Sequence, residues 1–155
     1  MKIRGKRAGR AGWTRGVAAV EFALVVPMAL VLFGGVIDTG LLLWTKNRLA
    51  GAVSAASHYS VLAGIAVVTT KVSGILTGSS GLPGVTASVT GPTCRCPSGT
   101  PATFASATCG VTCANGDLAA SFLTISASYT YVPVMPAYSK IVSTALTETA
   151  LVRLQ

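Results

Sequence analysis

This chain of 155 residues has few side chains that could catalyse a reaction, bind a metal or form a covalent cross-link. The main candidates are four carboxylates, four cysteines and one histidine. Two carboxylates, Glu21 and Asp38, lie inside an otherwise apolar run. A charge at the centre of a membrane helix costs roughly 2.5–3.5 kcal/mol on insertion scales, so Glu21 is by default a functional residue. Asp38 falls near the end of the run. For it we favour a polar helix end that reaches water over a pairing role.

The cysteines occur as CxC followed by CxxxC, four thiols within twenty residues: Cys94, Cys96, Cys109 and Cys113. A CxC pair fits structural zinc poorly, and thiols outside the cytoplasm are oxidised. We therefore expect two disulfides rather than a metal site or free thiols. Three pairings are open, although Cys94 and Cys96 are too close to bond each other. Closing a loop of ~15 residues stabilises a fold by roughly 3 kcal/mol.

The sequence contains few residues that could form a catalytic site. The only histidine, His58, lies far along the chain from any carboxylate, and we expect it on a solvent-facing helix position. A nucleophilic cysteine would need a reduced, activated thiol. No glycine-rich phosphate loop follows a strand. We therefore expect a protein that is not an enzyme and that needs no cofactor.

The elements that must position Glu21 are a basic leader and a long apolar helix. The leader ends at Gly16 and contains six basic residues and no acidic one: Lys2, Arg4, Lys6, Arg7, Arg10 and Arg15. The apolar run from Val17 to Trp44 would be about 42 Å long as a helix, enough to span ~30 Å of hydrocarbon. Basic residues on one flank favour a cytoplasmic N-terminus. A secretory signal cleaved near 50–52 is the weaker alternative, because the run is too long.

The charge distribution argues against nucleic acid as a partner. The formal net charge is +8, but six of the twelve basic residues lie in the leader. Without the leader, six basic residues face four acidic ones, a net charge of +2. Nothing after Gly16 forms a basic patch interleaved with aromatic residues, as phosphate binding requires.

Periodicity beyond the apolar run predicts an α+β domain. Helical spacing continues past Trp44 with small residues that suit packing on a sheet, and Gly64 is the expected stop. A short second helix is expected from a cap at Thr69 or Thr70 to Leu76. Alternating patterns predict three strands, at about 85–90, 122–131 and 144–154. Leu123, Ile125, Ala127, Tyr129 and Tyr131 form one face of the second strand. The enrichment in Gly, Pro, Ser and Thr between 78 and 116 indicates loops and not a separate domain. Pro27 is expected to kink or locally open the helix.

The stretch from Arg15 to Gly40, RGVAAVEFALVVPMALVLFGGVIDTG, carries a family resemblance. Gly16 followed by VAAVEF resembles the cleavage motif of type IV prepilins, which a membrane peptidase cuts after the glycine. The whole stretch resembles TadE-like pseudopilins of tight-adherence (Flp-type) pilus systems. The C-terminal part, ASYTYVPVMP and TALTETALVRLQ, resembles the family more loosely, and the cysteine-rich insert is the least shared.

The resemblance implies a pilin-like fold: a long membrane helix that extends into a small antiparallel sheet. It implies a leader at 1–16 that is cleaved between Gly16 and Val17, a transmembrane helix at 17–44, and a periplasmic domain at 45–155 with a cysteine-rich loop at 91–118. Glu21, with Phe22 beside it, would act in assembly. The implied location is the bacterial inner membrane, with possible incorporation into the pilus.

The implied partners are a prepilin peptidase, other pilins or pseudopilins, the inner-membrane assembly platform and the lipid bilayer. The rival hypothesis is an extracytoplasmic binding domain on a single-pass anchor whose leader is never cleaved. The N-terminus of the mature protein distinguishes the two hypotheses.

Overall fold

The computed structural model of the protein describes residues 13–99 and 103–154, with side chains from Gly16 onward. Most of the predicted leader therefore lies outside the described residues. The first element is a helix of 51 residues, α1 (Trp13–Ala63), about 76 Å long at ~1.5 Å per residue. It continues through Pro27 as α-helix. It ends where predicted, because Gly64 has a φ of 57° and starts a 3₁₀ turn at Gly64–Ala66.

The second helix, α2 (Thr69–Ser80), is longer than predicted and begins differently. Its N-cap is Val68, whose carbonyl accepts hydrogen bonds from the N–H groups of Lys71 and Val72, so the predicted caps at Thr69 or Thr70 are wrong. The helix continues past the expected end at Leu76 until Gly81, whose φ is 58°. A glycine adopts this left-handed conformation without steric penalty, whereas the earlier Gly78 stays helical.

Four antiparallel strands form one sheet in the order β2-β1-β3-β4. Their bounds are β1 Thr86–Ser98, β2 Thr103–Ser106, β3 Ala120–Thr130 and β4 Ala145–Arg153. The prediction of three strands was incomplete, because β1 continues into the cysteine region and pairs there with β2. A register shift between Thr90 and Thr93 carries β1 past Pro92, which cannot donate a ladder hydrogen bond.

The core lies between α1, α2 and one face of the sheet. In the outer half of α1, residues 38–63, every third or fourth residue is buried or half-buried: Asp38, Leu42, Thr45, Leu49, Ala52, Ala56 and Ser60. These side chains share one face of the helix, and α1 packs against α2, β3 and β4. The fully buried sheet residues are Leu123, Ile125 and Ala127, on the face that alternation predicted. The expected α+β architecture is confirmed.

Candidate functional site

Asp38 divides α1 into an inner half, residues 16–37, and an outer half, residues 38–63. From Gly16 to Ile37 the side chains are exposed or half-buried, whereas the buried stripe begins at Asp38. Among the described residues, one helical stretch, Gly16–Ala66, which joins α1 to the 3₁₀ turn after it, is long and apolar enough to cross a membrane, and its most apolar part is not buried. The inner half of α1 therefore presents an uncovered apolar surface, and the outer half belongs to the folded domain.

The predicted processing and assembly residues all lie on this uncovered half. Gly16 and Val17 are exposed near the start of α1, and no atom would touch a Cβ at Gly16 within 4 Å. Glu21 is exposed one turn later, and the spacing of four residues puts it on the same face as Val17. The Phe22 side chain is 71% exposed on the adjoining face. A carboxylate thus lies about 6 Å along the helix from the position of the new N-terminus that cleavage after Gly16 would create.

Asp38 does not reach water, and the expectation of a solvated helix end was wrong. Its side chain is completely buried and accepts three hydrogen bonds from the segment that follows β3. The Tyr131 hydroxyl and the Val134 N–H donate to Oδ1 at 3.0 and 2.7 Å, and the Met135 N–H donates to Oδ2 at 2.9 Å. We call this group, Asp38 with Tyr131, Val134 and Met135, the Asp38 clasp. It ties the C-terminal part of the chain to the middle of α1.

The sequence around the clasp explains why these donors are free to bind a carboxylate. Pro133 and Pro136 bracket Val134 and Met135, so the segment cannot continue the ladder of β3. Two backbone N–H groups are thereby left without sheet partners. Unpaired buried donors are costly, and a carboxylate with two acceptor oxygens satisfies both of them and the Tyr131 hydroxyl as well.

Two further contacts align the segment with α1 on either side of Asp38. One turn before it, Gly34 leaves room for the Met135 side chain, whose sulfur would overlap a Cβ at that position. One residue after it, the Thr39 hydroxyl shares a hydrogen bond of 3.1 Å with the Tyr138 hydroxyl. The segment therefore follows α1 over more than one helical turn.

Tyr131 is buried where β3 meets the clasp, with 7% of its surface exposed. Burial, followed in importance by its hydrogen bond to Asp38 and the nearby negative charge, raises the pKa of Tyr131 to about 12. The hydroxyl therefore stays protonated and donates to the carboxylate throughout the physiological range.

The cysteines form two disulfides, as predicted, and the structure selects one of the open pairings. Cys94 bonds Cys109 and Cys96 bonds Cys113. Both first partners lie in the extended part of β1, so the disulfides fasten the loop after β2 to the sheet. Next to this loop, Phe104 of β2 packs on Phe122 of β3, with the two ring centroids 5.1 Å apart.

His58 is exposed on α1, the position that the sequence predicted. Within residues 13–99 and 103–154, no cluster of three or more His, Cys, Asp or Glu side chains could hold a metal ion.

The clasp is not predictable from local sequence patterns, because its members are 93 to 97 positions apart in the chain. No local pattern joins Asp38 to Val134. One signal was nevertheless present: two prolines flank two residues whose N–H groups need an acceptor outside the sheet, and Asp38 is one of few carboxylates available.

Comparison with known proteins gives a result for the inner half of α1 and its continuation. No curated protein and no solved structure matches the chain. A family model described as TadE-like protein matches residues 16–58, which cover the inner half of α1 and most of its outer half. This match confirms the resemblance to the TadE-like family for the helix that carries Gly16, Glu21 and Asp38.

Proposed function

We propose that this protein is a minor pilin or pseudopilin of a tight-adherence (Flp-type) pilus and secretion system, with a structural and not a catalytic role. A prepilin peptidase removes the leader after Gly16 while the N-terminus is cytoplasmic. The mature subunit is held in the bacterial inner membrane by the inner half of α1, and its domain is periplasmic. It then associates laterally with other pilin-like helices at the assembly platform, and it either remains in the membrane or enters the fibre.

The observation that carries this proposal is the division of α1. An uncovered apolar half with one carboxylate near its start is joined to a half that is packed into a folded domain. The family match covers this same helix and suggests a protein associated with Tad pili. A helix of this kind can exchange lipid contacts for helix contacts without unfolding its domain.

Glu21 supplies what apolar packing lacks, which is a fixed position along the helix axis. A free α-amino group ordinarily titrates near pH ~8, so the amine that cleavage creates on Val17 is largely protonated at neutral pH. The amine of the same subunit or of a neighbour can pair with Glu21, and a lone charge in the membrane is heavily penalised. A pair between subunits sets the axial register of the two helices.

The N-terminus of membrane-extracted protein tests the proposal. We expect Val17 as the first residue in the wild type and an uncleaved leader in Gly16→Leu, because a bulky residue does not fit a tight peptidase site. Gly51→Leu is the matched control, since Gly51 is also an exposed helical glycine with open space around it. This variant should be cleaved normally.

Two results would contradict the proposal. A mature protein that starts at Met1 in cells with an active prepilin peptidase would favour the rival, an uncleaved anchored binding domain. An unchanged mature mass in Gly16→Leu would remove Gly16 as the processing determinant.

A further inference from the structure

We propose that segment 132–141, which the Asp38 clasp holds against α1, is a second membrane-contacting element that inserts its exposed apolar side chains into the outer boundary of the bilayer. The proposal rests on the membrane placement of α1 in the proposed function. It adds a lipid contact made by the C-terminal part of the chain. The surface that the segment contacts is the boundary between headgroups and acyl chains in the outer leaflet.

The level of the segment along α1 is fixed by contacts already described. Val134 and Met135 bind Asp38, Met135 packs on Gly34, and Tyr138 bonds Thr39. Further along the segment, Tyr138 and Ile141 line an apolar groove with the α1 residues Val31, Leu32, Gly35, Val36, Thr39, Gly40 and Leu43. The segment therefore overlaps the last turns of the uncovered half of α1.

The length of the uncovered half places these turns at the edge of a bilayer. Residues 17–37 form about 31 Å of helix at ~1.5 Å per residue, which equals the ~30 Å of a hydrocarbon core. A bilayer matched to this half ends at Asp38. The carboxylate is completely buried in the clasp, so the protein itself shields it at that boundary.

The side chains of the segment are those of an interfacial element. Val132, Val134 and Ile141 are 78%, 70% and 83% exposed. The ten residues contain no carboxylate and one basic residue, Lys140. An apolar surface next to a lysine matches the boundary of a bilayer, where aliphatic groups enter the acyl region and ammonium groups meet phosphates.

Continuity with α1 favours lipid over a protein partner. Ile141 shares its groove with Val31 and Leu32, which belong to the uncovered surface that the membrane placement gives to lipid. In a subunit that has not yet met other pilin helices, a partner protein bound to Ile141 would have to displace the lipid that contacts those two residues. Lipid already present covers both surfaces at once.

Photo-crosslinking in bacterial membranes tests the proposal with the full-length chain produced without other pilus components. p-Benzoylphenylalanine is placed at Ile141 in one variant, at Leu62 in a second and at Leu24 in a third. Leu62 is the matched control, because it is 87% exposed but lies about 36 Å beyond Asp38 along α1. Leu24 reports on the membrane placement of α1 itself. Mass spectrometry after irradiation identifies lipid adducts and protein adducts.

We expect lipid adducts at positions 24 and 141 and at least tenfold fewer at position 62. A lipid adduct at 24 with none at 141, or a protein adduct at 141 in its place, overturns the proposed membrane contact and leaves the proposed function intact. The absence of lipid adducts at position 24 would contradict the membrane placement of α1 and with it both proposals. Equal lipid labelling at 141 and 62 would show non-specific contact and would also overturn the inference. Mobility on non-reducing gels confirms that each variant keeps its two disulfides.

Discussion

At the scale of single residues, Asp38 makes the contact that joins the middle of α1 to the segment after β3. One buried carboxylate satisfies two backbone N–H groups and one hydroxyl from a segment that no strand can hold. Hydrogen bonds to a charged group contribute about 1.5–3 kcal/mol each, and a buried donor left unpaired costs about 1–3 kcal/mol. The clasp is therefore sensitive to loss of its single acceptor.

We expect Asp38→Ala to lower the free energy of unfolding by at least about 3 kcal/mol, because three donors lose their acceptor at once. Urea denaturation of the detergent-solubilised full-length protein, followed by near-ultraviolet circular dichroism, measures the change. Asp117→Ala is the control, since Asp117 is exposed and its effect should stay within about 0.5 kcal/mol. Equal midpoints for Asp38→Ala and wild type would contradict the role of the clasp.

Tyr131 gives the clasp a pH dependence at alkaline pH. Its folded pKa of about 12 exceeds the unfolded value of 10.0, so its contribution is fully present below pH 10 and is lost as the pH rises toward 12. We expect Tyr131→Phe to unfold more easily than wild type at neutral pH and to lose less stability between about pH 10 and 12.

Tyr59→Phe controls for the removal of one tyrosine hydroxyl, since Tyr59 lies on α1 outside the clasp. A difference between its alkaline stability profile and that of Tyr131→Phe is therefore specific to the clasp. A Tyr131→Phe profile parallel to those of Tyr59→Phe and the wild type would mean that the pKa of Tyr131 does not differ between the folded and unfolded states.

At the scale of elements, the hydrophobic period of the sequence predicts the two helices and three of the four strands. It does not predict β2 or the continuation of β1 into the cysteine region. Leu123, Ile125 and Ala127 alternate with polar residues, so the buried face of β3 is predictable. The pattern in β1 breaks at Gly91 and Pro92, where a register shift continues the strand. The pairing of Cys94 with Cys109 depends on that continuation and on the hairpin with β2. Sequence spacing alone left it open.

The Met135 side chain packs directly against Gly34 of α1, and the neighbouring Gly35 provides a matched comparison. A methyl group at Gly34 would overlap the Met135 sulfur, whereas a Cβ at Gly35 meets no atom within 4 Å. We expect Gly34→Ala to loosen the segment and Gly35→Ala to leave it in place. Limited trypsin digestion reports the difference, because Lys140 lies within the segment.

The rate of tryptic cleavage after Lys140 should rise several-fold in Gly34→Ala and should remain near the wild-type rate in Gly35→Ala. Cleavage after Lys71, which is exposed on α2, serves as the internal reference in each digest. Equal rates after Lys140 in the two variants would mean that the close approach of Met135 does not hold the segment.

At the scale of the whole molecule, α1 is one continuous helix that connects the uncovered apolar half with the domain. The domain is fastened to it by the core, by the Asp38 clasp and by an ion pair of 3.8 Å between Lys46 and Glu148. If subunits associate as proposed, a lateral contact near Glu21 sets where the domain lies relative to that of the neighbouring subunit. In the proposed function, register at one carboxylate positions the entire subunit.

The most direct test of the register model compares pilus assembly in Glu21→Ala, Glu21→Gln and wild type. Both variants should insert, because removal of a charge lowers the cost of insertion, and both should still be cleaved to Val17. We expect each to lose piliation and crosslinking to other pilin helices, because an uncharged side chain at position 21 cannot form an ion pair with the amine of Val17. Wild-type piliation and wild-type crosslinking in both variants would contradict the register model.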